Sequence, residues 1–88
     1  MKVIYLESFE RDIKKLKQKR VKTSLLNMIN DIKACESMDG IKNLKKIKGA
    51  KEFYRIKMGD YRLGIKIEKE TITFVRFLHR KEIYRYFP

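Results

Sequence analysis

Along residues 53–67, Phe-Tyr-Arg-Ile-Lys-Met-Gly-Asp-Tyr-Arg-Leu-Gly-Ile-Lys-Ile, apolar and polar side chains alternate on both sides of a Gly59-Asp60 pair. Period-two alternation interrupted by two turn residues is the signature of a β-hairpin, here with glycine at the first loop position. With Gly59 and Asp60 as the loop, Met58 pairs with Tyr61, Lys57 with Arg62, Ile56 with Leu63, and Arg55 with Gly64. Arg55, Lys57, Arg62 and Lys66 then share one face, and Tyr54, Ile56, Met58, Tyr61, Leu63, Ile65 and Ile67 the other. A second hairpin, looped at Lys69-Glu70, predicts a last strand from Thr71 to His79. Its register sends Ile72, Phe74 and Leu78 to the apolar face, and Thr73, Val75, Phe77 and His79 to the basic one. It also leaves Arg76 on the apolar face, where a cation needs an edge position or an escape route for its head group.

The remaining pattern supplies a cover for the apolar face. Lys2 to Leu6 is short, β-branched and aromatic, and reads as a first strand. Ser8 is the expected N-cap of a helix whose stripe is Phe9, Ile13 and Leu16, ending near Lys19. A second helix is expected from Lys22 to Glu36 on Leu25, Ile29 and Ile32, widened by Leu26, Met28 and Cys35. Ser37-Met-Asp-Gly40 breaks it, with Gly40 in the C-cap region. Ile41, Leu44 and Ile47 recur through a lysine-rich connector ending at Gly49. Arg80 to Pro88 reads as a short helical or irregular tail. If helical, it puts Arg80 with Tyr84, and Ile83 with Phe87, on common faces. The expected fold is α+β, in the order β-α-α-β-β-β. A helical hairpin covers one face of a four-stranded, mostly antiparallel sheet, and residues 1–88 form a single domain.

Charge changes this from a fold to a candidate interface. The chain carries 23 Lys+Arg against 11 Asp+Glu, a net charge of +12, which points to a polyanionic partner. Residues 42–88 hold 14 of those basic and 5 of the acidic side chains, so the hairpin half is the strongly cationic one. The single cysteine, Cys35, reads as a buried structural thiol. With no long apolar run and no leader pattern, the expectation is a cytoplasmic protein with no membrane partner. No His/Cys cluster has metal-ligand spacing and no glycine-rich phosphate loop is present, so neither a metal nor a cofactor is expected.

Lys57 set directly opposite Arg62 is unfavourable by a few tenths to about 1 kcal/mol unless an anion lies between them. Gly64, lacking a side chain opposite Arg55, would leave room for a phosphate or a base. The expected site is therefore Arg55, Lys57, Arg62 and His79 on one face, with Arg80 and Tyr84 arriving from the tail. Cutting an RNA strand needs a base for the 2′-OH, an acid for the leaving 5′-oxygen, and cations for the charge on phosphorus. Arginine forks match phosphate oxygens, and histidine titrates near neutrality. A tyrosine serves as base only where cations lower its ionisation from about 10.

Three pieces carry a family resemblance: Leu44-Lys-Lys-Ile-Lys-Gly49, Phe53 to Ile65, and His79-Arg-Lys-Glu-Ile-Tyr84. Together they resemble the RelE branch of the RelE/ParE toxins of type II toxin–antitoxin systems, and the likeness spans essentially the whole chain. The resemblance implies a ribosome-dependent endoribonuclease that cuts mRNA in the A site by metal-independent 2′-OH attack. It assigns catalytic roles to positions matching Arg55, Lys57, Arg62, Arg80 and Tyr84, with His79 matched in some members, so that Tyr84 and His79 stand as alternative bases. Arg55 stands where the best-known pattern has lysine, and the spacing from Arg80 to Tyr84 is shorter than in that pattern. Lys46, Lys48, Lys51 and Lys66 are the further candidates for RNA or ribosome contact. The resemblance also implies a cognate RelB-like antitoxin, with operator DNA met only indirectly through the toxin–antitoxin complex. Two other functions share the fold: a ParE-like poison of DNA gyrase, and a non-catalytic basic module that binds nucleic acid or antitoxin.

Overall fold

A computed structural model describes residues 1–88. Its elements run β1 (Lys2–Tyr5), α1 (Glu7–Lys14), α2 (Lys19–Ala34), a 3₁₀ turn at Met38–Gly40, β2 (Leu44–Lys46), β3 (Phe53–Met58), β4 (Tyr61–Glu68), β5 (Thr71–His79) and α3 (Ile83–Tyr86). The sheet order is β1-β5-β4-β3-β2, antiparallel throughout except for β1, which pairs with β5 in parallel. The α+β class stands, with five strands rather than four. The additional strand is β2, within the lysine-rich connector, where Leu44, Lys45 and Lys46 pair with Ile56, Arg55 and Tyr54. A three-residue strand rich in lysine suits an edge, because it discourages pairing with another chain.

Helix boundaries shift for want of punctuation. No Gly or Pro lies between Lys14 and Lys22, and α1 stops at Lys14 while α2 begins at Lys19. Leu6, not Ser8, is the N-cap of α1. Ser8 instead lies inside the first turn, and its hydroxyl donates to the Val75 carbonyl at 2.7 Å, tying the helix to β5. Cys35 is half-buried rather than buried, its Sγ 3.3 Å from the Asp31 carbonyl.

The helix-covered core joins Phe9, Leu25, Ile29 and Ile32 to Ile56, Leu63, Ile65, Ile67, Ile72, Phe74 and Phe77. Tyr5, Phe9 and Phe74 form an aromatic cluster with centroids 5.2–6.0 Å apart. The first hairpin has the expected register, from Met58↔Tyr61 to Arg55↔Gly64. Gly59 takes φ +58°, the left-handed conformation that the first loop residue requires.

The second hairpin holds its expected register only from the turn to Ile65↔Phe74. A bulge then inserts one residue, so that Gly64 faces Arg76 rather than Val75, and Arg62 faces Leu78 rather than Phe77. One extra residue flips the rest of the strand. Phe77 therefore turns into the core, where it stacks on Tyr61 at 5.1 Å, and Leu78 leaves it. His79 faces Tyr61 on the helix side, not the basic face.

The bulge also accounts for Arg76. Its Nε and Nη2 donate to the two carboxylate oxygens of Asp12 at 2.8 and 3.0 Å, and the Phe77 amide donates to the same carboxylate at 2.9 Å. Asp12, 5% exposed, is the one buried charged residue, and all of its obligations are met. The bond from Asp12 raises the Arg76 pKa above its ordinary value, against the opposing effect of burial.

On the sheet's other face, α3 and the residue after it form a smaller apolar layer. Ile83 and Phe87 are both buried there, the four-residue spacing of one helix face. The Phe87 ring lies directly on Gly64: a Cβ on that glycine would stand 2.8 Å from three ring carbons. The gap opposite Arg55 is thus filled by Phe87, which corrects the expectation of open room for a phosphate or base. Replacing Gly64 by alanine forces the ring away, and overpacking of this kind costs about 1–3 kcal/mol. An unfolding free energy lowered by that amount in a urea titration is the expected result.

A candidate active site on the basic sheet face

Cross-strand register gathers the cations into two rows on the face away from α1 and α2, the face that α3 partly covers. One row reads Lys45, Arg55, Gly64, Arg76, and the next reads Lys57, Arg62, Leu78. Lys45 is the member that sequence reasoning missed. Once Leu44–Lys46 is a strand, alternation puts Lys45 beside Arg55 and turns Lys46 to the helix side, opposite Tyr54. Lys48 and Lys51 lie exposed in the β2–β3 connection, away from either row. Lys66 lies in a further row, opposite Phe53 and Thr73, with its Nζ 3.2 Å from Glu68 and 5.7 Å from the Phe53 ring centroid.

The two rows differ in how their cations are held. Arg62 is half-buried and fixed, Nη1 donating to the carbonyls of Gly59 at 2.9 Å and Tyr61 at 2.8 Å. Lys45, Arg55, Lys57 and Arg62 have no carboxylate within 4.0 Å, so their charge is uncompensated by the protein. Arg76 is the exception in its row, committed to Asp12. Unpaired cations on adjacent strands repel one another, and a bound polyanion reverses the sign of that interaction.

The tail brings Arg80 to the turn end of these rows. Its amide donates to the Asp60 carbonyl at 2.7 Å, and its Nε stands 3.9 Å from the Asp60 carboxylate. Both side chains of that long pair are exposed, so the guanidinium exchanges it for a phosphate at little cost. From this anchor the chain passes through α3 to Phe87 on Gly64. Tyr84 sits in that span, 59% exposed. His79 is not gathered with the rows. Its ring meets Tyr61 edge-on at 5.8 Å, and Nδ1 accepts the Lys81 amide at 3.1 Å, which fixes the proton of the neutral ring on Nε2. Arg55, Lys57 and Arg62 thus stand together, Arg80 is anchored at Asp60 beside the turn, Tyr84 lies exposed on the tail, and His79 is turned aside.

Comparison with known proteins bears on the family and the fold. The family of ParE toxins of type II toxin–antitoxin systems matches residues 3–84. Toxin RelE3 of Methanocaldococcus jannaschii is 41% identical over 92 residues, with the whole of both chains covered. The RelB-RelE antitoxin–toxin complex from Methanococcus jannaschii superimposes with a TM-score of 0.81 at 36% identity, covering 97% of this chain and 99% of that one. An archaeal RelE-RelB complex from Pyrococcus horikoshii gives 0.72 at 16% identity over 93% and 97% of the chains, a likeness of fold alone. The chain belongs to the ParE/RelE superfamily of type II toxins. Within it, the full-length similarity to RelE3 and to the RelB-RelE complex puts the chain in the RelE branch.

Proposed function

We propose that this toxin is an endoribonuclease that enters the ribosomal A site and cuts the mRNA there. The observation that carries the reading is the cluster of Lys45, Arg55, Lys57 and Arg62 without carboxylate partners, flanked by Arg80, whose own pairing is weak. The phosphate backbone lies over Arg55, Lys57 and Arg62, with Lys45 extending the track. The 2′-oxygen attacks the adjacent phosphorus, forming a cyclic phosphate as the bond to the 5′-oxygen breaks. Tyr84 takes the 2′-OH proton, since His79 faces Tyr61 on the helix side, away from the rows. Lys57 gives a proton to the leaving 5′-oxygen, because arginine cannot surrender one. Arg62 and Arg80 hold the charge that grows on the phosphoryl oxygens.

A RelB-like antitoxin is the partner this reading supplies, neutralising the unpaired cations of this face. Operator DNA is reached through that complex rather than by the toxin alone, and the work is done in the cytoplasm, where the ribosomes are. No helix is long and apolar enough to cross a membrane.

The test is to induce the chain in cells and map RNA 5′ ends in translated and untranslated messages. Cuts confined to translated frames are expected. An unchanged RNA profile with accumulating DNA breaks would instead establish the gyrase reading.

A further inference from the structure

The tail that carries Arg80 and Tyr84 is held at two points, and the second has no counterpart among the roles assigned above. At one end the Arg80 amide is bonded to the Asp60 carbonyl at 2.7 Å. At the other, the Phe87 ring lies on Gly64 and meets Phe53 edge-on at 5.5 Å, leaving Phe87 only 2% exposed. Ile83 is fully buried between them, while Tyr84 and Tyr86 project outward. Arg76, fixed bidentately by Asp12, lies over the Tyr86 ring at 5.4 Å and adds a side support. Gly64 stands in the cation row between Arg55 and Arg76. The landing place of Phe87 is therefore inside the candidate site, although Phe87 itself bears no reactive group.

We infer that Phe87 is a positioning residue, which by seating its ring on Gly64 holds Arg80 and Tyr84 in register with the cations of β3 and β4. The physical argument is one of tethering. A four-residue helix is too short to persist on its own, so packing must supply its order. Released at Phe87, the segment loses its seat on Gly64 and keeps only the Arg80 anchor, the buried Ile83 and the Arg76–Tyr86 contact, so that the Tyr84 hydroxyl samples more placements. A misplacement of about 1 Å in a reacting group costs on the order of 100-fold in rate. Glycine at position 64 is what permits the close seat, since any Cβ would occupy the place of the ring. The inference rests on the ribonuclease reading.

The experiment measures single-turnover cleavage of mRNA on programmed ribosomes by wild type, F87A and F87L, with ribosome affinity and thermal unfolding recorded alongside. In wild type the Gly64 α-protons should show upfield ring-current NMR shifts, which F87A and F87L abolish. F87A is expected to lose about 100-fold in cleavage rate. Its ribosome affinity stays within about threefold, because no phosphate-binding cation is removed. F87L, which keeps an apolar side chain against Gly64 but not the ring, is expected to lose several-fold, between about threefold and tenfold. Should F87A fail to fold, F87L decides: a several-fold rate loss at wild-type stability upholds the role. A wild-type rate in either folded variant overturns the inference alone. So does a loss that merely follows the fraction of protein unfolded. Absence of cleavage by wild type itself removes the ribonuclease reading, and the positioning role with it.

Discussion

Replacing Asp12 by alanine should lower stability by about 3 kcal/mol, the lower end of the cost of breaking a buried charged pair. The lower end applies because the Arg76 side chain remains 24% exposed and recovers some hydration, whereas that of Asp12 is only 3% exposed. The loss has two parts: Arg76 is left without its fork partner, and the Phe77 amide, bonded to the same carboxylate, is left without an acceptor. In a domain of this size that corresponds to a fall in Tm of roughly 12–24 °C. The pair account makes a stricter demand on the double variant. Asp12→Ala combined with Arg76→Met removes both charges and should regain a good part of the loss, since no uncompensated guanidinium remains. Urea titration of the two variants checks this, and a double variant no more stable than D12A would refute it.

Arg80→Ala should leave the fold intact and reduce cleavage by about 100- to 1000-fold, the usual cost of removing one group that stabilises developing charge. Its side chain is exposed and its long pair with Asp60 contributes little, so stability should stay within about 0.5 kcal/mol. Arg62→Ala should lose activity comparably and also about 1 kcal/mol of stability, because its two bonds to the turn carbonyls go with it. In cells both variants should relieve growth arrest, and full toxicity in either would show that the site lies elsewhere. Arg80→Lys should restore only part of the rate, as a point charge replaces a planar fork.

The hairpin at the centre of the site was readable in full because two local signals agree on it, strict alternation and a Gly59-Asp60 loop. The last strand was readable only to Phe74. Nothing in Val75-Arg76 marks a bulge, with neither glycine nor proline present, and the insertion is set by tertiary demands: Ser8 on the Val75 carbonyl and Asp12 on Arg76. The one available signal was Arg76 itself, a cation that simple alternation sends to the core. Taken as a register error rather than a snorkelling side chain, it would have moved His79 off the basic face and brought Arg76 onto it. β2 was hidden for a different reason. Ile41, Leu44 and Ile47 recur every third residue, a spacing that masks a short edge strand defined by its pairing with β3. The spacing of Ile83 and Phe87 correctly placed both on one face of the tail. Their destination on Gly64 depended on contacts between distant residues, which no local pattern encodes.

The central claim is that the cation rows and the tail together cut mRNA held in the ribosome. The most direct measurement uses purified protein with ribosomes programmed by a defined mRNA and an empty A site, and reads the chemistry of the new ends. The account predicts a cut within the A-site codon, leaving a 2′,3′-cyclic phosphate and a 5′-hydroxyl, and its loss in Arg80→Ala. Intact mRNA under these conditions, or cleavage that survives in Arg80→Ala at the wild-type rate, would contradict it.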